Sequence, residues 1–298
     1  MKRSAILLLL ACGFLHAENP ATPAKQPEEA KKTGTDFIRY EEGYKSDHLQ
    51  TAVVSYESPQ KLRVALVGAI HIADKSYFDA LNLRFKSYDA VLYELVGPAF
   101  SERAKAQEKP SADQQRLAWV GQLQAKMKEV LKLHGQLECI DYNARNFVHA
   151  DMDTSQFTES QKEKNESFLT LYLKAALAQK DAQAKSGVDS DAAGLMMLLK
   201  LLTSKDSSTG LKRMIAEQFD AVEDIMAGVE SGNGTTLVGE RNRVALEVMD
   251  KQIAAGKKHL AIFYGAAHLG DMEERLLKQG FKRVKVEWLT AWDLPHEE

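Results

Sequence analysis

Two histidines in this sequence follow the same local pattern, in which an apolar run ends in Gly-x-x-His. The first copy, LVGAIH, ends at His71, and the second, FYGAAH, ends at His268. A third polar residue, Glu94, closes the next apolar run after the first copy, YDAVLYEL. Two imidazoles and a carboxylate are a ligand set of catalytic zinc-type sites, which keep one position open for water. Such a site makes a nucleophile from water at neutral pH, so the pattern points to metal-assisted hydrolysis.

The segment around the first histidine, residues 62–95, predicts a strand, a helix and a second strand. LRVALVGAI and YDAVLYEL are nearly continuous apolar runs, which are typical of strands buried on both faces of a sheet. Between them, three apolar residues fall on one face of a helix, namely Phe78, Leu81 and Phe85. A helix that links two buried strands indicates a parallel pair joined by a crossover.

Residues 258–289 repeat this order around the second histidine. HLAIFYGAA predicts a strand, Asp271 and Glu274 form a capping-box pattern that predicts a helix start, and KRVKVEWL predicts a returning strand. We therefore predict an α/β fold whose central sheet is mixed but largely parallel and is built from two β-GxxH-α-β units. The chain between the units, about residues 100–257, predicts a mostly helical insertion with a short strand at LECIDY.

Ligands of parallel α/β sheets bind beyond the carboxyl ends of the strands. His71, His268 and Glu94 would all lie there, so we expect them to be neighbours. Gly68 and Gly265, each three residues before a histidine, would let another backbone or a bound group come close. The alternative is that each histidine is a hydrogen-bonded structural residue, but the repeat of the pattern favours a functional pair.

The length and composition fit one large domain. The chain has 298 residues, of which 44% are hydrophobic, and a net charge of −3, and we assign residues 36–298 to a single domain that includes the insertion. No basic patch is interleaved with aromatic residues, which argues against nucleic acid as a partner. The stretch GLMMLLKLL at 194–202 indicates either a buried helix or a surface for a membrane or for a partner, such as a second copy of the chain.

The N-terminus has the layout of an export signal, because two basic residues precede a short apolar run and small residues follow. Residues 1–17 would be a signal peptide; alternatively, LLAC resembles a lipobox, with cleavage before Cys12 and lipid attachment to it. Residues 18–35 are rich in Pro, Ala, Lys and Glu and predict a flexible tether. The mature chain is expected to be exported, as a periplasmic protein or as a membrane-anchored lipoprotein of the cell envelope.

Five stretches, in this order, carry a resemblance to a known family: VGAIH, YELVG, FVHADM, ERNRVALEVM and YGAAHLGDMEERLLKQGFK. Together they resemble the TraB/GumN/Tiki family over roughly residues 50–290, and the paired Gly-x-x-His motifs with a glutamate between them are the most specific part. Family members with an assigned activity are metal-dependent proteases. The wider superfamily resembles erythromycin esterases and a haem-binding lipoprotein group.

Carried over residue by residue, the resemblance implies that His71, His268 and Glu94 are the metal and catalytic residues. Glu94 would be either the third ligand or the general base. The ion would be a divalent metal such as Mn, Co or Zn. One departure is Ala69, which stands where the family usually has Thr or Ser, so a hydrogen bond from that hydroxyl is lost here.

The same resemblance implies further polar residues near the site. His149 and Asp151, in VHADMD, would lie beside it; the alternative is that Asp151 or Asp153 only caps the helix that follows. Arg241 and Asn242 match the family's late Arg-Asn pair. Arg241 would hold a substrate carboxylate or a developing oxyanion; alternatively, it is a surface helix residue paired with a neighbouring glutamate.

Three functions remain open from the sequence. The first is a divalent-metal-dependent hydrolase of the cell envelope, and the resemblance favours peptide bonds over other small-molecule substrates. The second is a metal-independent, esterase-like hydrolase in which His71 activates water. The third is an envelope protein that binds a peptide, a metal or haem without chemistry. Removal of metal by a chelator would abolish the activity of the first but not of the second. The third would bind its ligand without any turnover.

Overall fold

A computed structural model describes residues 37–103, 125, 127–164, 166, 207–217, 219 and 234–296. The expected signal, tether and apolar stretch at 194–202 lie outside these residues. Among the helices that the structure describes, none is both long and apolar enough to cross a membrane. Export, lipid attachment and a homodimer therefore stay predictions.

The described strands form one seven-stranded mixed sheet and a separate two-stranded ribbon. Their bounds are β1 (Ile38–Glu41), β2 (Ser46–Glu57), β3 (Arg63–Ala69), β4 (Ile72–Ala73), β5 (Ala90–Tyr93), β6 (His134–Gly135), β7 (Phe147–His149), β8 (His259–Gly265) and β9 (Lys282–Pro295). The large sheet has the order β1-β2-β3-β8-β5-β7, and β9 also pairs with β2. Strands β3, β8, β5 and β7 are parallel to one another, whereas β2 is antiparallel to β1, β3 and β9. The predicted α/β class with a mixed, largely parallel sheet is confirmed.

Helices lie between the strands, and residues 100–257 contribute the strands β6 and β7 as well as helices. Their bounds are α1 (Lys75–Phe85), α2 (Phe100–Arg103), α3 (Gln136–Cys139), α4 (Thr154–Glu163), α5 (Ser207–Glu217), α6 (Arg241–Ala254) and α7 (Ala266–Lys278). A π-helix, Thr236–Glu240, leads directly into α6. The face predicted for the first helix is confirmed, since Phe78, Leu81 and Phe85 of α1 are buried.

Three local predictions differ from the structure. The returning strand β9 does not lie parallel beside β8, because β3 and β5 already pair with its two sides, so β9 pairs antiparallel along β2 instead. Helix α7 begins at Ala266 rather than near Asp271, since the two alanines before His268 are strong helix formers. No strand forms at LECIDY: residues 137–139 belong to the short helix α3, residues 140–142 are neither helix nor strand, and the edge strand comes later, as β7.

At Gly68, the group that comes close, as expected, is the backbone of neighbouring segments of the chain. A Cβ atom at this position would lie 3.2 Å from the carbonyl oxygens of both Ala52 and Phe37, where β2 and the start of the described chain meet β3. The Gly68 carbonyl in turn accepts a hydrogen bond of 2.7 Å from the buried hydroxyl of Tyr77 in α1. A Cβ atom at the carboxyl end of β3 would therefore require the neighbouring backbone to move by a few tenths of an ångström.

Candidate functional site

The carboxyl ends of the four parallel strands carry the polar residues singled out above. His71 lies two residues beyond β3, Glu94 follows β5 directly, and His149 ends β7, with Asp151 just after it. His268, from the end of β8, lies in the first turn of α7. The structure brings Glu94, Asp151 and His268 together below the surface, whereas His71 is exposed at their edge.

Arg241, at the start of α6, connects these residues and is itself buried. Its Nε and Nη2 donate to the two oxygens of Asp151 at 2.9 and 2.6 Å, and Nη2 also donates to Glu94 Oε1 at 2.6 Å. Its Nη1 lies 3.3 Å from both the carbonyl oxygen of Leu237 and His268 Nε2. These contacts match the five N–H groups of a guanidinium, so Arg241 has its donors occupied by the protein itself.

The two roles considered for Asp151, a place at the site and a helix cap, belong to two different residues. Asp151 faces Arg241, and its side chain is fully buried. Asp153 instead caps helix α4, where it forms a capping box with Gln156. Likewise, the surface ion pairs considered for Arg241 belong to its neighbour, Arg243, which contacts glutamates on either side.

Asn242 fixes the ring of His268. Its Nδ2 donates to the carbonyl oxygen of His268 at 3.0 Å and to Asp271 Oδ2 at 2.8 Å, and both of these atoms only accept hydrogen bonds. Its Oδ1 therefore faces His268 Nδ1, at 2.7 Å, so the ring must donate through Nδ1–H. The lone pair of His268 is then on Nε2, toward Arg241 and 3.7 Å from Glu94 Oε1. We call these five residues, Glu94, Asp151, Arg241, Asn242 and His268, the Arg241 cluster.

Gln136 makes the equivalent contact to the other histidine. Its Oε1 lies 3.2 Å from His71 Nδ1, while its Nε2 donates to the hydroxyl of Tyr142 at 2.7 Å. In this arrangement His71 also donates through Nδ1–H and carries its lone pair on Nε2. Sequence reasoning missed Gln136, because its partner lies 65 positions away in the chain and no local pattern marks it.

The charges of the Arg241 cluster hold its groups in defined protonation states. Burial alone would raise the pKa of Glu94, but the positive charge of Arg241, the two histidines and the N–H of Gly265 keep it well below its usual range. The Gly265 N–H donates to Glu94 Oε2 at 2.7 Å, at the start of α7. Burial, partly offset by the charge of Glu94, lowers the pKa of His268 to about 4. Glu94 is therefore ionised and His268 neutral at pH 7.

His149 supports the strand end that carries Glu94 and makes no described hydrogen bond to the Arg241 cluster. Its Nε2 donates to the carbonyl oxygen of Leu95 at 2.7 Å, and its ring packs against Tyr93. The residue next to Glu94 is thus held by β7, the edge strand. His149 has a place near the site, as expected, but as a support for the backbone.

The π-helix places Arg241 and Asn242 together at the start of α6. Glu240 N–H donates to the carbonyl oxygen of Thr235, five residues back, which is the wider turn of a π-helix. Within that turn, the carbonyl of Leu237 points to Arg241 Nη1. The turn is anchored from α4 through Ser160, whose hydroxyl contacts that of Thr236 at 2.8 Å.

The donor types at this edge suit a divalent metal ion, but their spacing does not. Among the described residues, no group of three His, Cys, Asp or Glu side chains is placed so that it could hold an ion. Arg241 already contacts the two atoms that an ion would need, Oε1 of Glu94 and Nε2 of His268. An ion could enter only if these two contacts to Arg241 were exchanged.

Comparisons of this chain with protein-family models, with curated proteins and with solved structures found no match. The resemblance to the TraB/GumN/Tiki family therefore stays an expectation from the sequence motifs.

Proposed function

We propose that the chain is a hydrolase of peptide or small-molecule substrates, with its chemistry at the carboxyl ends of β3, β5 and β8. One observation carries the proposal. Two imidazoles at neighbouring strand ends each donate through Nδ1–H to an amide oxygen and keep a lone pair on Nε2. Nε2 of His268 lies 3.7 Å from the carboxylate of Glu94, and His71 interacts with the same carboxylate electrostatically. A histidine held in this way is prepared to accept a proton from water.

His71 is the proton acceptor in this proposal. It is exposed, whereas His268 is buried and faces the guanidinium of Arg241, which makes His268 a poor base. As water attacks a carbonyl carbon, its proton passes to Nε2 of His71, and the imidazolium returns that proton to the leaving amine or alkoxide. The ionised carboxylate of Glu94, which interacts electrostatically with His71, stabilises the imidazolium while it exists.

A metal-dependent form of the same hydrolase is the second candidate. Histidines whose Nδ1–H donates to an oxygen are typical of metal sites, because this contact orients the other ring nitrogen toward the ion. A Mn, Co or Zn ion would be held by His71, His268 and Glu94, and would lower the pKa of its bound water. This form requires the change in the Arg241 contacts described above.

The test is turnover of a peptide library and a panel of esters, with metal content measured on the same purified protein. We expect His71→Ala to lower turnover by about 100-fold or more, the range of general-base catalysis. His134→Ala is the matched control, because His134 is exposed on β6, next to the strand that follows His71.

The outcomes of this test separate the candidates. Turnover that survives chelation but not His71→Ala supports the metal-independent form. Turnover that chelation abolishes and one added ion restores supports the metal-dependent form. Tight binding of a peptide, metal or haem without turnover of either panel would overturn the hydrolase proposal in favour of a binding protein.

We also propose that the protein acts in the cell envelope, on the basis of the N-terminal signal and the lipobox-like LLAC. If Cys12 is lipidated, Cys12→Ser moves the protein from the membrane fraction to the soluble fraction. Wild-type protein that is already soluble after export would refute the lipid anchor.

A further inference from the structure

Gln136 is a buried amide in apolar surroundings, and its location needs an explanation. Only 4% of the residue is exposed, and its amide contacts the hydroxyl of Tyr142, whose ring packs on Tyr93, Phe100 and Phe147. A methionine or leucine would fill a similar volume there without the cost of burying an amide. The polar contacts of the amide offset this cost, and one of them is to His71.

Residue 136 holds His71 at two points. The backbone N–H of Gln136 donates to the carbonyl oxygen of His71 at 2.8 Å, next to the ribbon in which β4 pairs with β6. Its side-chain oxygen lies 3.2 Å from Nδ1 of the same histidine. A ring whose backbone and Nδ1 are held by one residue has a restricted orientation, even though the ring itself is exposed.

The contact matches the one that Asn242 makes to His268. In each case an amide oxygen faces Nδ1, and the amide nitrogen is bonded elsewhere, to Tyr142 for Gln136 and to Asp271 for Asn242. The two amides come from different parts of the chain, α3 and α6. The same solution at both histidines indicates that the tautomer of each ring matters.

We propose that Gln136 is a positioning residue, which fixes His71 as the Nδ1–H tautomer and so keeps the lone pair on Nε2. The inference rests on the proposed role of His71 in hydrolysis. Gln136 itself contacts no reacting atom in this scheme. It sets which ring nitrogen of His71 can accept a proton.

The test reads the tautomer directly, without a substrate. Protein labelled with nitrogen-15 in histidine is examined by long-range proton–nitrogen NMR, which distinguishes the protonated ring nitrogen from the one with the lone pair; His71→Gln identifies the signals. We expect Nδ1–H in the wild type and in Gln136→Glu, which keeps an acceptor. Gln136→Met removes the acceptor, so the preference should be lost. Gln279→Met, at an exposed glutamine after α7, is the control.

Two results would overturn the inference: a wild-type His71 protonated on Nε2, or an unchanged spectrum in Gln136→Met that has kept its fold. If Gln136→Met does not fold, the other two spectra decide: Nδ1–H in both the wild type and Gln136→Glu supports the inference, and Nε2–H in either contradicts it. Where the hydrolase is active, Gln136→Met should lower kcat by about 10- to 100-fold with KM unchanged, the range found when the hydrogen-bond partner of a metal-bound histidine is removed. Because the spectrum needs no turnover, failure of the hydrolase proposal and failure of this inference are distinguishable.

Discussion

At the scale of single residues, Arg241 joins groups that no other side chain could satisfy together. Two carboxylates, one imidazole and one carbonyl oxygen face its guanidinium, and both carboxylate side chains are nearly or fully buried. Their negative charges outnumber the one positive charge between them. Removing part of this pairing leaves buried charge uncompensated, which is costly.

We therefore predict that Arg241→Lys destabilises the fold as well as lowering activity. A lysine has three donors on one nitrogen, so it cannot replace the fork that holds both oxygens of Asp151. The free energy of unfolding should fall by about 3 kcal/mol, measured by urea denaturation. Arg243→Lys, two residues along the same helix and half exposed, should change it by less than about 0.5 kcal/mol. Equal, small effects for the two variants would contradict a central role for Arg241.

His268 predicts a pH dependence of stability. Its pKa is about 4 in the folded chain and about 6.5 when unfolded, so between these values the unfolded state binds more protons. The contribution of neutral His268 to the free energy of unfolding is fully present above pH 6.5 and is lost as the pH falls toward 4. The difference of about 2.5 between the pKa values corresponds to about 3 kcal/mol.

His268→Asn is the control for this effect, because its amide can still donate to Asn242 and has no pKa in this range. Urea denaturation of both proteins at several pH values between 7 and 4 gives the comparison. The wild type should lose stability more steeply than His268→Asn across this window. Parallel curves would show that His268 does not titrate with a lowered pKa.

At the scale of elements, the periodicity of the sequence was enough to predict the strands around the two histidines and the edge at which they meet. Buried apolar runs and a crossover helix are local signals, so β3, α1 and β5 lie where they were expected. The pairing of β9 was not predictable, because it depends on which edge of the sheet is left after β8 inserts between β3 and β5. The role of Gln136 was not predictable for the same reason, because it depends on a contact with His71, which is distant in the sequence.

Two glycines give a matched test of how tightly the end of β3 is packed. Gly68→Ala should lower the free energy of unfolding by about 1–3 kcal/mol, because its Cβ would lie 3.2 Å from two carbonyl oxygens that are fixed by pairing. Gly270→Ala, inside α7 with open space around it, should raise it by up to about 1 kcal/mol. Thermal or urea unfolding measures both. A neutral Gly68→Ala would mean that the strands can move apart without cost.

At the scale of the whole molecule, Asp47 ties together parts of the chain that are far apart in sequence. Its Oδ2 accepts from Tyr40 in β1 and from Arg213 in α5, at 2.9 and 2.8 Å, and its Oδ1 accepts from Gly43 and from His296 after β9. Burial opposes its charge, but the hydrogen bonds from these partners keep the pKa of Asp47 well below its usual range. The carboxylate therefore joins the first strand, the insertion and the C-terminal strand.

Each oxygen of Asp47 accepts from one group that can only donate, Arg213 Nε at Oδ2 and the Gly43 N–H at Oδ1. In Asp47→Asn the amide nitrogen replaces one of these oxygens, so one of the two donors loses its acceptor. We predict a loss of about 3 kcal/mol in the free energy of unfolding, measured by urea denaturation. Asp79→Asn is the matched control, because Asp79 forms only an exposed pair with Lys75 and should change stability by less than about 0.5 kcal/mol. The residues of the Arg241 cluster do not contact Asp47, so turnover per folded molecule should be retained. If Asp47→Asn is as stable as Asp79→Asn, the hydrogen bonds of Asp47 contribute nothing measurable to holding α5 and the C-terminal residues in place.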